Sequence, residues 1–134
     1  MSARLKIIKP FKDSNNNDVA ETSSAVNFES EIIRMPNHPQ INEAVLQGEL
    51  QIGSGNPSIN IKIELIYDEQ VTAGYTNTNK HTLASNIGTA SAFEYDLSLQ
   101  EWFKWAPAFK IHYEVSGGTA DITSIVAVRG GGER

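Results

Sequence analysis

Strict period-two alternation confines this chain to β structure. The run from residue 105 to 129, WAPAFKIHYEVSGGTADITSIVAVR, shows it best. Phe109, Ile111, Tyr113 and Val115 take one side, and Lys110, His112, Glu114 and Ser116 the other. Successive side chains of a strand leave opposite faces of the pleat, so this run describes a half-buried strand. Ser116-Gly117-Gly118-Thr119 supplies residues that tolerate positive φ, and a second β-rich run follows, Ile122 to Val128. The two runs read as a β-hairpin.

The same grammar occurs earlier. Between Asn42 and Ile52, Ala44, Leu46, Gly48, Leu50 and Ile52 share one parity and Val45, Gln47, Glu49 and Gln51 the other. Gly53-Ser54-Gly55-Asn56-Pro57 is a dense turn signal. Directly after it Ile59, Ile61, Ile63, Leu65 and Tyr67 occupy every odd position, facing Asn60, Lys62 and Glu64. This predicts a second hairpin. Phe93, Tyr95 and Leu97, alternating with Glu94 and Asp96, give a further strand.

The remaining segments are weaker. Leu5, Ile7 and Ile8 read as a short first strand stopped at Pro10, and the polar stretch Asp13 to Asp18 as a solvated Asn-rich loop. A short strand is expected around Ala25 to Phe28, and the prolines of Met35-Pro36-Asn37-His38-Pro39 interrupt any helix. Residues 68–91 are irregular, with strands expected near Val71–Tyr75 and His81–Leu83. Ser98 to Trp105 reads as a single helical turn or a bend. With about six to eight short strands and no amphipathic helix, the fold class is all-β. The expected form is an antiparallel β-sandwich of jelly-roll or immunoglobulin-like kind, in a single domain. A barrel is the alternative. The expected organisation is an N-terminal arm over residues 1–21, a sandwich over 22–129 and a flexible tail over 130–134. The arm, set apart by the Asn-rich loop, is read as reaching to a neighbouring subunit.

Composition narrows function by exclusion. The 134 residues suffice for one real core. A formal net charge of −5 argues against a nucleic-acid footprint. The absence of cysteine removes disulfides, thiolate metal sites and cysteine nucleophiles. No apolar run approaches the roughly 18 residues of a membrane span. The basic N-terminus lacks the apolar core of a signal peptide, so synthesis in a cytosol is expected.

Motifs for catalysis are thin. His38, His81 and His112 lie too far apart in sequence for short-range zinc spacings and read as ordinary surface residues. Asp13, Asn15 and Asn17 match the first oxygens of a calcium loop, but Asp18 stands where its glycine belongs and Ser24 where its glutamate belongs. Glu94 and Asp96 share a strand face, as a glycosidase pair would, and equally form a solvated outer row. No serine has a nucleophile elbow, and no glycine run precedes a helix to cradle phosphate. The chain is therefore read as a non-enzyme with no cofactor and no metal. Trp102, Phe103 and Trp105, beside Tyr95, are the candidate interface or ligand platform, with a core plug as the plainer alternative.

The order of the pieces carries one resemblance. Ser23-Ser24-Ala25-Val26 precedes Leu46-Gln47-Gly48-Glu49-Leu50-Gln51-Ile52, then Gly53-Ser54-Gly55-Asn56 and the strand Ile59–Tyr67. A Phe93-containing strand follows, and the chain closes on Ala106-Pro107, Lys110-Ile111, Glu114, Gly117-Gly118 and Ala120 to Arg129. Over residues 22–129 this layout resembles small β-sandwich structural proteins of tailed bacteriophages, which serve as capsid decoration, head-fibre, neck or tail components. The resemblance implies a non-enzymatic virion protein, made in the host cytoplasm. It would assemble with itself or other virion proteins, without nucleic acid or membrane. The alternative is a carbohydrate-binding module that holds a surface glycan on Trp102 and Trp105.

Overall fold

The structure is a computed structural model and describes residues 5–21, 27–35, 43–66, 80–87, 91–103 and 107–129. It is an all-β, antiparallel sandwich. The strands in chain order are β1 (Leu5–Ile8), β2 (Phe11–Lys12), β3 (Asp18–Val19), β4 (Asn27–Glu29) and β5 (Ile33–Arg34). They continue with β6 (Glu43–Ile66), β7 (Lys80–Ile87), β8 (Ser91–Asp96) and β9 (Ala108–Arg129). Two single 3-10 turns, Leu97–Leu99 and Glu101–Phe103, lie between β8 and β9.

Neither expected hairpin forms. Each pair of alternating runs is instead one long strand, β6 of 24 residues and β9 of 22. The two strands pair with each other along their whole length, from Glu43↔Arg129 to Ile66↔Ala108. Ile59 pairs with Val115 of β9 and not with the run that precedes the turn. A straight 24-residue strand would run roughly 80 Å, whereas a domain of this size has a radius of gyration of about 14 Å. The ribbon must bend, and the two glycine-rich links are where it does. They lie side by side in the ladder, Ser54 opposite Thr119 and Gly55 opposite Gly118. Gly55 and Gly117 take the left-handed φ values of 71° and 82° that this corner requires. The Ser54 and Thr119 hydroxyls bridge the strands at 2.9 Å.

The bend folds one seven-stranded sheet onto itself as two layers. Inward residues are even-numbered before the corner of β6 (Ala44, Leu46, Leu50) and odd after it (Ile59, Ile61, Ile63, Leu65). In β9 the inward parity runs the other way, from Phe109, Ile111, Tyr113 and Val115 to Ala120, Ile122, Val126 and Val128. Register irregularities at Ile52/Ser54 and Gly55/Ser58 place extra residues in β6 and allow the switch. All these side chains belong to one core cluster. Each buried Leu or Ile contributes about 1.5–3 kcal/mol.

Flanking strands widen both layers. Beside the first half of the ribbon, β1 pairs with β9 at residues 126–129 and β8 pairs with β6 at residues 45–50. Beside the second half, β4 and β5 pair with β9, and β7 with β6. The expected strand near His81–Leu83 is thus part of β7. The N-terminal segment meets β9 on both sides of the bend, with Glu21 bridging Thr123 and Ser30 bonded to Ile111. Residues 5–21 are therefore built into the sandwich of their own chain. Phe11, 4% exposed, reaches the core and lies 5.9 Å from the Tyr113 ring. The expected strand at Val71–Tyr75, the turn at Pro36–Pro39, and the tail lie outside the described residues.

Candidate functional site

The aromatic cluster is positioned by the two 3-10 turns. The Asp96 carboxylate accepts the Ser98 N–H at 2.9 Å, and the Ser98 hydroxyl accepts the Ala44 N–H at 3.1 Å, which ties the turn to the start of β6. Phe103 is fully buried, its ring edge-on to Phe109 at 5.2 Å. Trp102 is half-buried, edge-on to Phe103 and stacked on His81 at 4.4 Å with 5° between the planes. One face of the indole is therefore covered by a residue of β7. Tyr95 is half-buried against Phe93 at 5.8 Å. Trp105 lies outside the described residues. Leu99, 79% exposed, borders the cluster in sequence.

A second constellation occupies the outer face of the layer built on the second half of the ribbon. Here the polar parities of β6 and β9 meet as Asn60↔Glu114, Lys62↔His112 and Glu64↔Lys110, with Glu29 of β4 beside His112. His112 is not an ordinary surface histidine. It is 8% exposed, and its Nε2 lies 2.7 Å from Oε1 of Glu64, itself 9% exposed. Its Nδ1 lies 3.4 Å from Oε2 of Glu29, and Oε1 of Glu29 accepts from Nζ of Lys110 at 2.7 Å. Lys62 pairs with Glu114 at 3.1 Å. The hydrogen bond from Lys110 holds the Glu29 carboxyl below its ordinary range. The charges of Lys110 and His112 act in the same direction, while partial burial opposes them.

A recess of about 610 Å³ opens over this ladder, lined by Glu29, Asn60, Lys80, His112, Glu114 and Ser116. Both imidazole nitrogens face carboxylates, so neither is turned towards a substrate in the recess. The arrangement suits charge-paired cohesion of the sheet better than acid–base chemistry. Sequence reading placed His112 on the correct face and missed its burial. The available signal was the alternation of opposite charges at 62 and 64 and at 110, 112 and 114, which is informative only once the register is known.

The remaining candidates are dispersed. Asp13 closes the β2–β3 turn by accepting the N–H groups of Asn15 at 2.9 Å and Asn17 at 2.8 Å, with Asn16 at φ 64°. Those backbone donors hold its carboxyl below the ordinary range. Among the described residues no cluster of three or more His, Asp or Glu is arranged to hold a metal ion. Glu94 and Asp96 sit exposed on β8. His38 lies outside the described residues.

No protein-family model and no curated protein sequence matches the chain. Its fold matches solved structures of virus particles. The infectious bursal disease virus VP2 subviral particle superposes with a TM-score of 0.60 at 10% identity, over 96% of this chain and 33% of that one. The T13 particle of the same virus gives 0.57 at 15% identity, over 96% and 31%. Its Gx strain gives 0.57 at 14% identity, over 96% and 32%. At such identities the shared property is the fold, and this chain spans about a third of the length of the chains it matches.

Proposed function

We propose that the chain is a non-enzymatic structural protein of a virus particle. It would serve a tailed bacteriophage as a decoration or minor component on a capsid or tail lattice, contacting itself or other virion proteins. The observation that carries this reading is the sandwich shared, over 96% of the chain, with the VP2 subviral particle. The paired state of His112, with both ring nitrogens held by carboxylates, supports a structural role for the polar face. The test is peptide mass spectrometry on purified particles from the source of the sequence. Peptides of this chain in fixed proportion to the major capsid subunit support the reading. Particles free of them, made by cells that contain the protein, refute it.

A glycan-binding use of Trp102 is the second reading. It is supported by the rigid placement of a half-exposed indole between His81 and Phe103. Tryptophan fluorescence under titration with a glycan panel tests it. Quenching that disappears in Trp102→Ala with folding retained favours it, and no response to any sugar removes it.

A further inference from the structure

The sandwich opens sideways along β9. On the side away from β6, β1 pairs with β9 at residues 126–129 and β5 pairs with it at residues 108–109, about equally far from the corner at Gly117-Gly118. These two short strands border the two layers at one place, and a groove of about 550 Å³ is lined by both. Its walls carry four cations, Lys6, Lys9, Lys12 and Arg34, and two carboxylates, Asp18 and Glu31. Lys6 shares the inward parity of Ile8, opposite buried Val128. Because β1 is the outermost described strand of its layer, that side chain stays exposed at the opening. Both carboxylates act on Lys12, Asp18 in an ion pair of 2.6 Å and Glu31 through its charge. Neither Lys6 nor Lys9 has an ion-pair partner among the described residues. Elsewhere Lys62, Lys110 and Arg129 each face a carboxylate. An excess of positive charge is gathered in one groove of a chain whose formal net charge is −5.

We propose that this groove binds an extended, acidic segment of a partner protein, with carboxylates of the segment against Lys6 and Lys9. The proposal deepens the assembly reading above and rests on it for the partner being another virion protein. Two features favour an extended peptide over a free anion. Apolar surface lies among the charges, Ile7 at 54% exposure and the half-buried Ile32. The flanking strands β1 and β5 each have β9 as their only partner among the described residues, so each presents backbone donors and acceptors along its other edge. An extended segment alternates its side chains, so one segment can offer carboxylates to the lysines and apolar groups to the isoleucines. Nucleic acid, the other common polyanion, has no apolar side chains to set against Ile7 and Ile32. The lysines are exposed, and their attraction for carboxylates is screened by salt. Binding should therefore weaken at high ionic strength.

The test is fluorescence anisotropy of a labelled octapeptide of alternating glutamate and valine, titrated with the full chain at low and high salt. The parent should bind this peptide at low salt and lose it at high salt. The uncharged octapeptide of alternating glutamine and valine should not bind. Lys6→Gln/Lys9→Gln should weaken binding about tenfold. Thr82→Glu/Ser85→Glu lowers the net charge by the same amount at exposed positions of β7, on the far side of β6, and should bind like the parent. Circular dichroism checks the fold of each, and Lys9→Gln alone replaces the double variant if that fails to fold. A parent that does not bind, full binding by the lysine variant, or equal loss in the two charge-matched variants would overturn the proposal. So would an oligothymidine that displaces the peptide and depends more strongly on the same two lysines. None of these results touches the particle mass spectrometry, which decides the virion reading separately.

Discussion

The Tyr113 hydroxyl donates to Oγ of Ser124 across 3.1 Å, although the two residues stand eleven positions apart on one strand. In a straight strand that spacing is about 36 Å. The bond therefore measures the folding of the ribbon: Tyr113 belongs to one layer, Ser124 to the other, and the hydroxyls meet in the core between them. Both residues are buried, at 0% and 1% exposure.

Replacing Tyr113 by Phe removes that donor and leaves the buried Ser124 hydroxyl without it. Urea unfolding should show a loss of about 1 kcal/mol. The same variant has an alkaline signature. Burial pushes the Tyr113 phenol well above its ordinary 10.0, and the bond with Ser124 only partly opposes this. The unfolded chain therefore releases the proton first, and the stability held below pH 10.0 is lost as pH rises towards the folded value. In Tyr113→Phe that alkaline loss should shrink.

The corner tolerates no side chain at Gly118. A Cβ there would collide with the Ser54 carbonyl oxygen and stand 3.1 Å from Gly55 Cα, both backbone atoms of the opposing strand. Gly118→Ala should cost about 2–3 kcal/mol, read as a lower urea midpoint. Full stability in that variant would mean that the strands do not approach at this point.

Glu64 and His112 form a buried pair that should behave asymmetrically on truncation. Glu64→Ala leaves Nε2 of His112 without its 2.7 Å partner and should cost about 3 kcal/mol. Replacing both by leucine should recover most of that loss, because a buried pair exchanged for apolar packing is often near neutral. A double-mutant cycle measures the difference.

On the acid side the relevant group is Glu29, held below its ordinary 4.5 chiefly by Lys110. A depressed carboxyl contributes stability that is fully present above 4.5 and disappears as pH falls through the lowered value. The Glu29 side chain is 50% exposed, so the contribution is limited to about 0.5 kcal/mol. Unfolding midpoints followed below pH 4.5 should fall less steeply in Glu29→Gln than in the parent.

Local pattern and distant pairing divided what the sequence disclosed. The faces of β6 and β9 were legible over most of their length, because alternation is a property of neighbouring residues. Ile52, on the inward parity yet 54% exposed at the corner, and Glu64 and His112, on the polar parity yet buried, are the exceptions. The partners of the two strands were not legible. Gly53–Pro57 and Ser116–Thr119 have the composition of hairpin turns, and the same residues serve equally well where two paired strands bend together. The distinction depends on Ile59 meeting Val115 rather than the run that precedes the turn, and no local signal carries it. His112 illustrates the same limit, since Glu64, which buries and pairs it, is 48 positions away. Phe103 was visible as part of an aromatic cluster. Its place against Phe109, and the stacking of Trp102 on His81, depended on how β7 and the 3-10 turns come together.

The ladder between β6 and β9 also sets the order in which the molecule can be made. Its nearest rungs, Ile66 and Ala108, enclose a long loop, and its farthest, Glu43 and Arg129, join the two ends of the ribbon. Closing loops of that length costs entropy before any pairing compensates it, which places such topologies among the slow folders. As the chain leaves the ribosome, β6 emerges before β7, β8 and β9, the three strands that pair with it. Lys62, Glu64 and Glu49 interleave charge on its polar parity, the kind of residue that disfavours pairing of a bare strand with a wrong chain.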